Sequence, residues 1–93
     1  MPLNFEWDEK KARSNLAKHD VSFEEATTTF GDPNSLTIPD PAHSQSEDRF
    51  IIMGSSIRQK ILVVVYTERG DNVRIITARH AGRNERKTYE KRP

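Results

Sequence analysis

Arg69, Arg79 and the neighbouring His80 are the residues of this chain whose types best suit work on a negatively charged group. Guanidinium offers phosphate oxygens a rigid fork of donors and keeps its charge, while imidazole exchanges protons near neutral pH. Arg69 shares strand parity with Thr67, and Arg79 with Thr77, so each arginine can project from a sheet face past the apolar core. The plainer alternative for each is a solvated strand-end residue paired with Glu68 or Glu85. His80 reads equally as a surface residue just past a strand. His43 sits in a proline-rich loop beside Ser44, and His19 reads as closing a first helix, where a cation favours the dipole. Glu68 and Glu47 are carboxylate candidates for a base, and Tyr89 or Lys18 for donating a proton or holding phosphate. Three scattered histidines form no metal motif of the His-Glu-x-x-His kind, so neither metal nor cofactor is expected.

The elements that must position these groups are legible in the patterning. Asp8 caps a helix through His19, with Trp7, Ala12, Leu16 and His19 as its inner stripe. Ser22-Phe23-Glu24-Glu25 is a capping box, with Ser22 accepting from the Glu25 backbone and the Glu25 side chain reaching back. It opens a second short helix that ends before Gly31-Asp32-Pro33. Leu36 and Ile38 support a short edge strand, followed by a polar loop over residues 39–46. Arg49–Ser55 and Lys60–Arg69 read as strands, and Ile61–Tyr66 is apolar without alternation, which places that strand centrally with both faces covered. Gly70-Asp71-Asn72 turns the chain into a third long strand, Val73–Arg79. After Gly82 comes a basic helix or arm capped at Asn84 and anchored by Tyr89. The expectation is one α+β domain over residues 1–93, with two N-terminal helices, an antiparallel sheet of three to four strands and a short C-terminal helix.

Charge adds a division. The net charge is +1, yet residues 1–48 hold four bases against ten acids, and residues 49–93 hold eleven bases against four acids. Such asymmetry suits a polyanion on one side and a basic partner on the other, although clustered surface lysines and arginines would look the same. The absence of cysteine removes disulfide scaffolds, thiolate zinc sites and cysteine nucleophiles. No apolar run approaches the ~20 residues that span a bilayer, and the first residues lack a basic stretch followed by an apolar one. A cytoplasmic location without membrane contact is expected.

Four ordered blocks resemble the BrnT family over nearly the full length. They are Phe5–Lys11 with Asn15; Lys18–Ala26 with Phe30, Asp32 and Pro33; Asp40, His43, Ser44, Glu47 and Arg49; and Val64–Arg69 with Arg74–Arg79 and Glu85–Glu90. Two positions depart from it: Asp20 stands where that family usually has glycine, and His80 where a different residue is common. Aspartate adopts the left-handed conformation at modest cost, so the first departure is tolerable. The resemblance implies a RelE-like fold and a ribonuclease toxin that stops translation. It also implies a ribbon-helix-helix antitoxin encoded beside it, with DNA contacted only through that complex.

Metal-free RNA cleavage uses the substrate's 2′-hydroxyl as nucleophile, so the protein supplies proton transfer and positive charge. On the resemblance, Arg69 and Arg79 converge as the catalytic pair, with Glu68 and His80 beside them. Thr67, Lys18, Arg74, Arg83, Arg86, Lys87 and Tyr89 are the expected RNA contacts. The competing class is a nucleic-acid-binding or antitoxin-binding module without catalysis.

Overall fold

The computed structural model describes residues 3–40 and 48–91. Strand β1 (Asn4–Glu6) leads into helix α1 (Glu9–His19), then α2 (Phe23–Thr27) and a 3-10 turn (Thr28–Gly31). Strands β2 (Leu36–Pro39), β3 (Arg49–Ser55), β4 (Ile61–Arg69) and β5 (Asn72–His80) follow, and α3 (Arg83–Glu90) closes the order. Among the described residues the sheet has five strands in the order β1-β5-β4-β3-β2. The expected α+β class therefore stands, but the sheet has five strands in place of three to four, and the parallel β1–β5 pair makes it mixed in place of antiparallel. β1 pairs in parallel with β5 through Asn4–Asn72, Phe5–Val73 and Glu6–Arg74. Three residues are too few to carry a period-two signal, so its strand character comes from the partner edge.

β4 is the third of five strands, and Val63 and Val64, on opposite faces, are both buried. Helices α1 and α2 pack on one face, where Val21, Phe23 and Ala26 meet Ile52, Leu62, Val64, Tyr66, Val73, Ile75 and Ala78. The opposite face carries Arg49, Ile51 and Met53 of β3, Val63, Val65, Thr67 and Arg69 of β4, and Arg74, Thr77 and Arg79 of β5, because residues paired across antiparallel strands share a face. The register shifts between Val65 and Tyr66: Val65 faces Thr77 and Tyr66 faces Ile75, leaving Ile76 as a bulge.

The caps show where local chemistry held and where it did not. Asp8 accepts from the backbone of Lys10 and Lys11 at 2.8 and 3.1 Å. Asp20 takes the left-handed conformation at φ 58° and ends α1 by donating its N–H to the Leu16 carbonyl. The inner stripe of α1 differs from expectation, since Leu16 is about half exposed and Asn15 is buried instead. The Asn15 amide donates to the carbonyls of Ala78 (2.8 Å) and Val21 (3.0 Å) and accepts from the Ala78 N–H (3.1 Å), standing in for a missing neighbour strand. Ser22 accepts from Glu25 N–H at 3.0 Å, as the capping box requires. Its reciprocal half is absent, because the buried Glu25 carboxylate accepts from Ser56 Oγ at 2.7 Å and ties α2 to the β3–β4 turn. α3 starts from Gly82 in place of Asn84, with the Glu85 carboxylate accepting the Gly82 N–H at 2.8 Å.

Candidate functional site

The tight turn at Gly70-Asp71 decides where the arginines go. Gly70, at φ +58°, supplies the conformation that a two-residue hairpin needs at its first central position. Arg69 is then paired with Asn72 at the hairpin end, whereas Arg79 is paired with Val63. Six residues of β4 separate those positions, roughly 20 Å at the usual strand rise. The two guanidinium groups rise from the same face but do not converge, which corrects the arrangement expected from the resemblance.

Their surroundings differ as much as their positions. Arg79 makes two 2.8 Å hydrogen bonds to Glu85, one from each terminal nitrogen, and also donates to the His80 carbonyl at 3.2 Å. The hydrogen bond to Glu85 raises the Arg79 pKa, and the same bond, with that from Gly82 N–H, holds the Glu85 carboxyl at about 2. Arg69 lies 3.9 Å from Glu6 and its side chain is 58% exposed, so it remains open to a ligand. Glu6 is committed elsewhere: Asn72 donates to it at 2.8 Å and Arg74 at 2.8 Å, and these two hydrogen bonds hold its carboxyl below the ordinary range.

Glu68 and His80 project on the helix-bearing face, opposite Val73 and Leu62 respectively. The four expected catalytic residues thus occupy two faces at two ends of the sheet. Glu68 and Arg69, being adjacent at a strand end, still border one cleft of about 360 Å³, lined also by Asp48, Phe50 and Thr67. Thr67 is buried and its hydroxyl donates to the Asp48 carbonyl at 2.6 Å, fixing the entry of β3 against β4. Arg49 lies across from Thr67, and Thr67 across from Arg74, so arginines flank the threonine on both neighbouring strands. Phe50 stacks on Tyr66 with 5.5 Å between ring centroids and an interplanar angle of 28°, and also lines an adjoining cleft with Asp40, Asp48 and Arg49.

The remaining candidates fall away from this cleft. Arg83, Arg86 and Lys87 are exposed on α3, beyond the Arg79 end of the sheet. Tyr89 donates its hydroxyl to Asp32, and that carboxylate also accepts from Ser55 N–H at 2.7 Å, so the tyrosine latches α3 to the body. Lys18 and His19 occupy the last turn of α1 on the open edge of β5. His43 and Glu47 lie outside the described residues. Sequence reading passed over Asp48 and Phe50. Arg49 was visible in the pattern, but only strand register sets it opposite Thr67. Among the described residues no three histidine, aspartate or glutamate side chains are placed to hold a metal ion. No described helix is long and apolar enough to cross a membrane.

The chain is similar both to a protein-family model and to a solved structure. Residues 7–85 match a family model described as "Ribonuclease toxin, BrnT, of type II toxin-antitoxin system". The fold is similar to the crystal structure of the Brucella abortus ribonuclease toxin, BrnT, with a TM-score of 0.69 and 24% sequence identity over 88% of this chain and 100% of that one. No curated protein sequence matches.

Proposed function

The chain belongs to the BrnT family of ribonuclease toxins of type II toxin–antitoxin systems, and from that premise we propose that it is an endoribonuclease needing no metal, which arrests translation by cutting RNA in the cleft beside Arg69. Membership implies an antitoxin partner. We take that partner to be a ribbon-helix-helix protein through which alone the toxin meets DNA, and the setting to be the cytoplasm.

The observation that carries the reading is the adjacency of Arg69 and Glu68 in one open cleft, with Arg69 only loosely engaged by its nearest carboxylate. Glu68 takes the proton from the 2′-hydroxyl, and the 2′-oxygen attacks the neighbouring phosphorus. Arg69 hydrogen-bonds the non-bridging oxygens as their charge grows, and the 5′-oxygen leaves with a proton from the water that reaches this exposed cleft. The products are a 2′,3′-cyclic phosphate and a 5′-hydroxyl. Arg74 and Arg49 flank the row and serve the adjoining phosphates. Arg79, bound on two sides, is assigned to the scaffold, and Arg83, Arg86 and Lys87 to a peripheral grip on the RNA backbone.

End-labelled RNA incubated with the full chain in excess chelator tests this. Fragments ending in cyclic phosphate, and their disappearance when the substrate carries 2′-deoxyribose, are expected. RNA that shifts in a gel but stays whole would support a binding module instead.

A further inference from the structure

On the side of β5 away from β4 lies a further cavity, separate from the cleft beside Arg69. β1 covers that edge only as far as Arg74, opposite Glu6, and Asn15 takes it over at Ala78. Between these two covers, Ile76 and Thr77 face a cavity of about 250 Å³ walled by Lys11, Ser14, Lys18 and His19 of α1. No carboxylate lines it. Neither lysine enters an ion pair within 4 Å among the described residues.

We propose that this cavity holds a backbone phosphate of single-stranded RNA other than the phosphate being cut. Lys11, Ser14 and Lys18 lie three, four and seven residues apart, so one helix face presents two ammonium groups with a hydroxyl between them. Thr77 and His19 border the cavity from the sheet and from the end of the helix. Donors arriving from several directions suit a tetrahedral oxyanion. The floor is rigid, because the Asn15 amide is already engaged by Ala78 and Val21.

Position favours a polynucleotide over an acidic protein segment. Thr77 is paired with Val65, four residues along β4 from Arg69, so about 14 Å separates the cavity's sheet wall from the Arg69 position. Arg74 lies between them along β5. A single strand a few nucleotides long would thread from one to the other past Arg74, whose guanidinium is paired with Glu6. This inference rests on the proposed RNA-cutting reading and adds an anchor that sets how RNA length enters affinity.

The test is fluorescence anisotropy with uncleavable 2′-O-methyl oligonucleotides of increasing length, comparing the full wild-type chain with a Lys11→Gln/Lys18→Gln double variant. Wild type should gain affinity steeply on lengthening from two nucleotides to about eight, within the site sizes usual for single-strand binders. The double variant should lose at least about tenfold of that gain, and its salt slope should fall by about 0.7 per phosphate released. Restoring both positions as arginine should recover the gain, which excludes a folding defect. A double variant that keeps the full gain and slope overturns the proposal. So does one that loses dinucleotide binding equally, or one that loses only antitoxin binding. Because binding is read apart from cutting, RNA that wild type holds but never cleaves would defeat the catalytic reading and leave this anchor standing.

Discussion

The two ends of the open sheet face hold arginines of opposite character. At the hairpin end, Arg69 faces solvent beside a carboxylate already engaged by Asn72 and Arg74, and borders a polar cleft. At the α3 end, Arg79 is clamped by Glu85, and the adjoining groove of about 400 Å³ is lined mainly by Leu36, Ile38, Ile51, Met53 and Val63. The difference teaches that a guanidinium at a strand end is catalytic material only when its donors are left over. On the function proposed above, one end of the face serves the chemistry, while the other holds the C-terminal helix. Changes at the hairpin end should cost activity with little stability, and changes at the far end the reverse.

The largest effect is expected at the hairpin end. Glu68→Gln removes the proposed base without changing shape and should slow RNA cleavage by about 10²-fold or more, with an unchanged melting temperature. A rate within threefold of wild type would remove Glu68 from the mechanism. Next, Asn15→Ala leaves Ala78 and Val21 without their buried partners and should lower unfolding free energy by roughly 2–4 kcal/mol in denaturant titrations. Cleavage by the remaining folded protein at saturating RNA should stay near wild type.

Acid tests the α3 end. The Glu85 carboxyl sits at about 2, below its ordinary 4.5. Its stabilisation is therefore complete above pH 4.5 and is lost as pH falls towards 2. Both partners are more than a third exposed, so solvent screening limits the contribution to about 1 kcal/mol. Chemical denaturation from pH 6 down to 3 should show this loss in wild type, and Glu85→Gln should flatten it. Smallest of all, Tyr89→Phe removes the hydroxyl that grips Asp32. Amide exchange across residues 83–90 should quicken by several-fold, matching about 1 kcal/mol, while β4 amides keep their protection.

The scaffold was readable from residues wherever local chemistry governed. Unbroken apolarity over Ile61–Tyr66 announced a central strand, and Asp8 and Ser22 announced their helices because caps act within three residues. β1 escaped notice because its pairing partner lies some seventy residues away. Asn15 looked like an ordinary helix position, since nothing nearby tells that its amide will serve the backbone of β5. The site was legible in part. Type and position make Glu68 a carboxylate candidate, Arg69 stands out only with the family resemblance, and the two border one cleft. Joining Arg79 to them needed a register that the two-residue turn forbids. Phe50 and Asp48 gave no signal of their own, because their place beside Arg69 depends on the pairing of β3 with β4.

The most direct measurement compares Arg69→Ala and Arg79→Ala side by side on labelled RNA in chelator, at a temperature where both variants are folded by circular dichroism. Arg69→Ala should lower the cleavage rate by about 10²–10³-fold, the usual cost of removing a donor to a developing oxyanion. Arg79→Ala should stay within about tenfold of wild type and show a reduced melting temperature instead. Equal collapse of both rates in well-folded proteins, or loss only with Arg79→Ala, would contradict the assignment of catalysis to the hairpin end.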